Sequence, residues 1–374
     1  MLNLLVAGTI AFGTTFLAIP AIIRVAEQKR LFDLPDGRKL HTRPIASLGG
    51  IGIFAGFLLA CLLSISGKQN AEFSFFFASA IIIFFLGVKD DILVLSALKK
   101  FIGQLIATAI IVHFGDIRID SMHGFLGVYQ LPEVISLLLS YTTIIVVINA
   151  FNLIDGVDGL AASLGIVTTS IFGLYFLRAG MPSYGLLAFS MTFSLAAFLI
   201  FNFNPAKIFM GDSGSLLLGM VNAILVIKFI TVADITAGSF PLQSSVALGF
   251  SILIVPLLDT LRVFSIRIYK GQSPFAPDKN HIHHLLLARG FSHSGVSLCC
   301  VIINVFFISI TYLGRSLGST VLMGWMAGSA LLFVGMLSYL KKTPATLVIA
   351  TSFADEGEST TKVVPLKTEV AVAE

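Results

Sequence analysis

Apolar residues run through this chain in blocks long enough to cross a bilayer, and polar residues gather in the gaps between them. A crossing helix needs about 20 apolar residues, with roughly 17 to 25 tolerated. On that spacing the pattern predicts about eleven spans, near residues 2–23, 47–66, 72–88, 101–115, 133–151, 161–178, 183–201, 208–230, 244–266, 295–313 and 318–340. The fold class is therefore all-α, a polytopic transmembrane helix bundle. The first run, MLNLLVAGTIAFGTTFLAIPAIIRVA, lacks a basic n-region and is too long for a cleaved signal, so it reads as a retained span. Residues 116–132 are too polar to cross and predict an external loop, with a small hairpin around His123-Gly124. From Thr343 the helical period is lost, which divides the chain into a membrane domain, 1–342, and a disordered cytoplasmic tail, 343–374. No internal repeat is visible, which argues against the paired-repeat design of many transporters.

Basic residues orient the bundle. Arg24, Lys29, Arg30, Arg38, Lys39, Arg43, Lys89, Lys99, Lys100, Lys207, Arg267, Lys270, Lys279, Arg289, Lys341 and Lys342 fall on one side. Only Lys68, Arg118, Arg178 and Arg315 are isolated on the other. The positive-inside rule makes the rich side cytoplasmic, with the N-terminus outside and the C-terminus inside a plasma (inner) membrane. Composition agrees: 56% of residues are hydrophobic and 12% charged, against roughly 25% charged in soluble chains. A net charge of +4 gives no reason to invoke nucleic acid. Cys61, Cys299 and Cys300 lie inside apolar runs without metal-ligand spacing and read as small buried hydrophobes.

The acidic residues change the picture most. Asp90-Asp91 in VKDD, Asp155 and Asp158 in NAFNLIDGVDGLA, and Asp212 in IFMGDSGS all fall at span ends on the cytoplasmic side, as does the segment HIHH, His281 to His284. An ionisable group that close to hydrocarbon costs about 2 to 4 kcal/mol unless it faces protein or water, so it marks a functional site by default. Adjacent Asp90 and Asp91 point about 100° apart on a helix and suit different tasks. Lys100 returns a positive charge nearby and favours an anionic ligand. Asn149, Asn152 and Asp155 recur every three residues on one helix face, and their oxygens are hard donors suited to Mg²⁺. Asp212 lies among backbone N–H groups near a helix start, where an anion or a metal beside one can bind.

Blander readings compete at each place. The Asp pair could be a solvated helix end, GDSG a capped helix start, and the histidines a polar loop. The EF-hand spacing is missing, no P-loop string is present, and the histidine spacing is not that of a zinc site. Asp259 and Arg262, three apart near the end of a span, read as a structural pair. Gly52 and Gly56, four apart, read as close helix packing. The site accepts a metal and phosphates better than an ion-coupled transporter, which would hold its acids near midplane.

Taken in order, VKDD, NAFNLIDGVDGLA, NPAKIFMGDSGS and PDKNHIHHLLLARG resemble the polyprenyl-phosphate N-acetylhexosamine-1-phosphate transferase family (glycosyltransferase family 4), from about Lys39 to Gly290. The HIHH form is similar to the WecA/TagO-like branch, which uses UDP-N-acetylglucosamine. A phospho-N-acetylmuramoyl-pentapeptide transferase is the alternative within the family. The resemblance implies a cytoplasm-facing active-site cleft in which undecaprenyl phosphate attacks the sugar-linked phosphate of a UDP-N-acetylhexosamine. UMP is released, and Mg²⁺ is required, with Mn²⁺ as a substitute. It implies catalytic work for Asp90, Asp91, Lys100, Asp155, His281, His283 and His284. Asp212 would hold the metal with help from Asp158. Substrate contacts would come from Asn152, Asp158, Asn202, Phe209 and Lys279, with Phe209 on uracil. Ser47 stands where relatives commonly carry Arg. A homodimer is left open.

Overall fold

Helix α8 (Gly211–Ala233) is the most deeply buried of the long apolar helices, and the fold is arranged around it. The computed structural model describes residues 2–29, 32–33, 45–66, 71–234, 240–269, 271 and 281–339. Against α8 pack α2 (Gly49–Ser64), α3 (Glu72–Leu93), α5 (Glu133–Ile154), α6 (Leu160–Arg178) and α7 (Pro182–Asn202). Close approach comes from small residues, as in membrane helix pairs generally. A Cβ on Gly219 would lie 2.6 Å from Ile148 Cα of α5. Gly52 and Gly56 do the same for α2 against α1 (Leu2–Lys29): Thr15 Oγ1 donates to the Gly52 carbonyl at 3.1 Å, and a Cβ on Gly56 would meet the Ala11 carbonyl.

Every apolar block that the sequence marks as a span is helical, and all but one form a single helix. Among the described residues, α1, α3, α5, α6, α7, α8 and α12 (His293–Leu313) are long and apolar enough to cross a membrane. The described apolar stretches of α2 and α13 (Ser319–Tyr339) are shorter, and α4 (Ala97–His113) carries Lys99 and Lys100 in its first turn. At one end of the bundle the expected hairpin forms from β3 (Ser121–Phe125) and β4 (Val128–Gln130), and Leu126 N donates to Thr320 Oγ1 at the start of α13. Near the other end β1 (Phe32–Asp33) pairs with β2 (Ile45–Ala46), and Ala46 bridges to Ile208 just before α8.

The segment expected as one span over 244–266 is two helices. α9 (Ser245–Ile252) and α10 (Ile254–Tyr269) meet at Leu253 with an 81° bend. Pro256 has no N–H, so the Ile252 carbonyl loses its donor four residues on. Fully buried Asn304 of α12 bridges the break: its Nδ2 donates to Ile252 O at 3.0 Å and its Oδ1 accepts from Val255 N at 3.3 Å. A short helix, α11 (Ile282–Leu287), follows where the sequence suggested a loop. The expected tail lies outside the described residues.

Candidate active site

The start of α8 is held by a side chain from another helix. Asp91, near the end of α3, accepts from Asp212 N at 2.7 Å, from Ser213 N at 3.1 Å and from Ser213 Oγ at 2.7 Å. The first N–H groups of a helix lack intrahelical partners and carry its positive dipole end. Asp91 therefore serves α8 as a cap, a task its own N-cap position Met210 leaves undone. Glycines bring the backbones together. Gly211 has φ +70, and a Cβ there would lie 2.8 Å from the Asp91 carboxylate. One on Gly87, a turn before Asp91, would sit 2.5 Å from Ser213 N, and one on Gly50 2.6 Å from Ser213 C. Backbone bonds from Gly49 N to Phe209 O and from Gly50 N to Met210 O fasten α2 to the same corner. Asp212 is thus fixed from three sides.

Asp212 then gathers the polar residues. Its Oδ2 accepts from Lys100 Nζ at 2.6 Å and its Oδ1 from Asn152 Nδ2 at 2.9 Å, while Asn152 also reaches Ser215 Oγ at 3.0 Å. Lys100 pairs with Asp90 as well, so one ammonium lies between two carboxylates. Asp90 also accepts from Leu95 N, across a turn in which Val94 takes φ 37. A residue of that shape is rarely found at positive φ. One turn deeper, Gln104 and Asn149 exchange amide hydrogen bonds, Asn149 Nδ2 to Gln104 Oε1 at 2.9 Å, and tie α4 to α5. The Asn149–Asn152–Asp155 face is therefore divided, the first residue serving packing and the second the acidic cluster.

Asp155 ends α5 beside this cluster. Burial, then the carboxylates of Asp212, Asp91 and Asp158, push its own carboxyl well above the usual range. Asp158 faces other partners: its Oδ2 accepts from Ala206 N at 3.2 Å and lies 3.4 Å from His293 Nδ1. Asn202 is buried and clamps two loops, accepting from Gly159 N at 3.0 Å and donating to the Ile208 carbonyl at 2.9 Å. Half-buried Phe209 lies in the strand-like link before α8.

The histidine segment reaches the cluster through the Asp155 loop. Burial pushes His283 down to about 3, and its ring closes on Gly156, where a Cβ would lie 2.6 Å from Nε2. The rings of His281, His283 and His284 lie against one another, with centroids 4.5 to 6.5 Å apart. The pairing of Asp259 with Arg262 read from the sequence is corrected here. Asp259 Oδ2 lies 2.8 Å from His281 Nδ1, and its Oδ1 accepts from Ile282 N at 2.7 Å. Asp259 meets the start of α11, more than twenty residues on, so sequence proximity misleads. Lys279 lies outside the described residues.

No three acidic, histidine or cysteine side chains form a ready-made metal cage among the described residues. The donor set nevertheless suits a hard cation: Asp90 and Asp212 share Lys100, Asp91 and Asp155 stand beside them, and Mg²⁺ typically takes few protein oxygens and leaves the rest to water and phosphate. Sequence reasoning missed Ser213, Ser215, Gln104 and His293. Ser213 and Ser215 stand in the GDSGS string without their partners being readable from it, and each of the four acts through a partner far along the chain.

Comparison of the sequence with known proteins finds similar transferases. The family model described as Glycosyl transferase family 4 covers residues 73–230. A Bacillus subtilis (strain 168) protein named "Probable undecaprenyl-phosphate N-acetylglucosaminyl 1-phosphate transferase" is 34% identical over 316 residues, covering 82% of this chain and 84% of its own. The decaprenyl-phosphate N-acetylglucosaminephosphotransferase of Mycobacterium leprae (strain TN) is 33% identical, covering 79% of this chain and 80% of its own. The undecaprenyl-phosphate alpha-N-acetylglucosaminyl 1-phosphate transferase of Yersinia pestis is 31% identical, covering 75% of each.

Proposed function

The chain belongs to glycosyl transferase family 4, and from that premise we propose that it transfers N-acetylglucosamine-1-phosphate from UDP-N-acetylglucosamine to undecaprenyl phosphate at the cytoplasmic face of the inner membrane. An oxygen of the lipid phosphate attacks the sugar-linked phosphorus, the anhydride bond to the uridine phosphate breaks, and UMP leaves. The observation that carries this reading is the Asp90–Lys100–Asp212 array at the start of α8. Phosphoryl transfer asks little covalent work of a protein; it needs charge neutralisation and in-line positioning.

The residues divide that work. Lys100 offers its ammonium to phosphate oxygens. Asp90 accepts the proton of a monoanionic acceptor, which brings the lipid phosphate to its more nucleophilic form. Asp91 holds Asp212 and the α8 amides in place. Asn152 fixes one Asp212 oxygen, and Asp155 and the histidine segment border the same space. Asp212, with Asp90 nearby, would hold Mg²⁺, which when bound neutralises phosphate charge. The relatives' names favour N-acetylglucosamine over the muramoyl-pentapeptide alternative. The reading is tested in nanodiscs with a panel of radiolabelled UDP-sugars. Lipid-linked product and stoichiometric UMP from UDP-N-acetylglucosamine are expected. Vesicle uptake of substrate without UMP release would replace the transferase by a transporter.

A further inference from the structure

We propose that Asp259 is a positioning residue for this transfer, acting through His281; the inference rests on the reading of the site given above. Both side chains are buried, Asp259 to 1% and His281 to 5% residual exposure. Asp259 places one oxygen on His281 Nδ1 at 2.8 Å and the other on Ile282 N at 2.7 Å. An ionised carboxylate only accepts, so Nδ1 carries the proton and Nε2 is the ring nitrogen left for a ligand. The second bond fixes the backbone from which the ring projects. His281 in turn lies parallel to His283, with centroids 5.4 Å apart and planes 7° apart, and His283 closes on Gly156 beside Asp155. The Asp259 carboxylate thereby links α10 to the histidine segment that borders the acidic centre.

A plain structural role, a buried acid holding a helix start, is the competing account. Asp259→Asn separates the two. The amide oxygen still accepts from Ile282 N, so the turn is kept. The amide nitrogen, however, donates to Nδ1, and the ring must then carry its proton on Nε2.

The experiment compares wild type, Asp259→Asn, His281→Gln and the double variant in nanodiscs. It measures kcat and KM for UDP-N-acetylglucosamine separately, thermal midpoints, and ring-nitrogen NMR on histidine-labelled protein. His281→Gln identifies the relevant signals. Expected for Asp259→Asn is a proton moved from Nδ1 to Nε2, with kcat lowered about 10-fold to 100-fold, the scale seen when a metal-bound histidine loses its orienting partner. The midpoint should hold, and no further loss should appear in the double variant beyond that of His281→Gln. Unmoved ring signals, or losses that multiply in the double variant, overturn the proposal. A wild-type chain that transfers nothing overturns the functional reading and the positioning role together. The ring signals would then still report whether the Asp259–His281 pairing exists.

Discussion

Asp90 and Asp91 are neighbours with separate duties, and substitution should tell them apart. Asp91 spends both oxygens on the start of α8, so Asp91→Asn should stay depressed in rate at every pH. Asp90 is bound to Lys100 and the Leu95 amide. A lipid phosphate loses its second proton near pH 6, as other phosphate monoesters do, so Asp90→Asn should regain part of its rate as pH is raised to about 9. Parallel pH–rate profiles for the two variants would remove the base role from Asp90. Asp212→Asn should lower kcat about a hundredfold or more, about 3 kcal/mol of barrier, while keeping its thermal midpoint. Near-normal activity with EDTA present would count against the metal. His283 makes a prediction about stability. Its folded value is near 3 and the unfolded value about 6.5. Below about pH 6.5 the unfolded chain takes up the proton first, so this contribution is full above that pH and is lost progressively as pH falls toward 3. His283→Gln should flatten the fall in thermal midpoint between pH 7 and about 5. The adjacency of the two acids, their separate tasks and the nearness of Lys100 were legible in the sequence; what Asp91 orients was not, because only the fold brings Ser213 to it.

At the scale of elements, the wedge formed by Gly50, Gly87 and the α8 start leaves no room for a methyl group. Gly87→Ala would press a Cβ on backbone atoms of Ser213, which cannot swing aside as a side chain does. A loss of about 1–3 kcal/mol is expected for such overpacking, seen as a lowered thermal midpoint, and a variant as stable as wild type would show that α3 can shift. Helix positions were legible because hydrocarbon imposes a length on every crossing run. The 81° break was not, because Pro256 lies inside the expected span and membrane helices tolerate an interior proline, as α1 does Pro20. The feature that accommodates the break is Asn304, whose side-chain amide bonds the freed backbone groups from another helix.

For the whole molecule, the Lys/Arg asymmetry and the gathering of the acids at one bundle end agree, although the two were read independently. In a background lacking Cys61, Cys299 and Cys300, Tyr129→Cys on the hairpin should label with an impermeant maleimide in intact cells, and Ser96→Cys between α3 and α4 should not. The reverse pattern would invert the whole site relative to the membrane. The bent helix pair carries a consequence of a different kind. α9 has 8 residues, about 12 Å of rise, against a hydrocarbon layer of about 30 Å. Taken along the bilayer normal, it ends at a depth where water is scarce and unpaired backbone groups are costly. α10 then runs sideways, with Leu261, Ile268 and Tyr269 outward. In that placement α10 is held beside the acidic centre by its packing on α5 and by the Asp259–His281 contact, and its outward residues are left to the lipid.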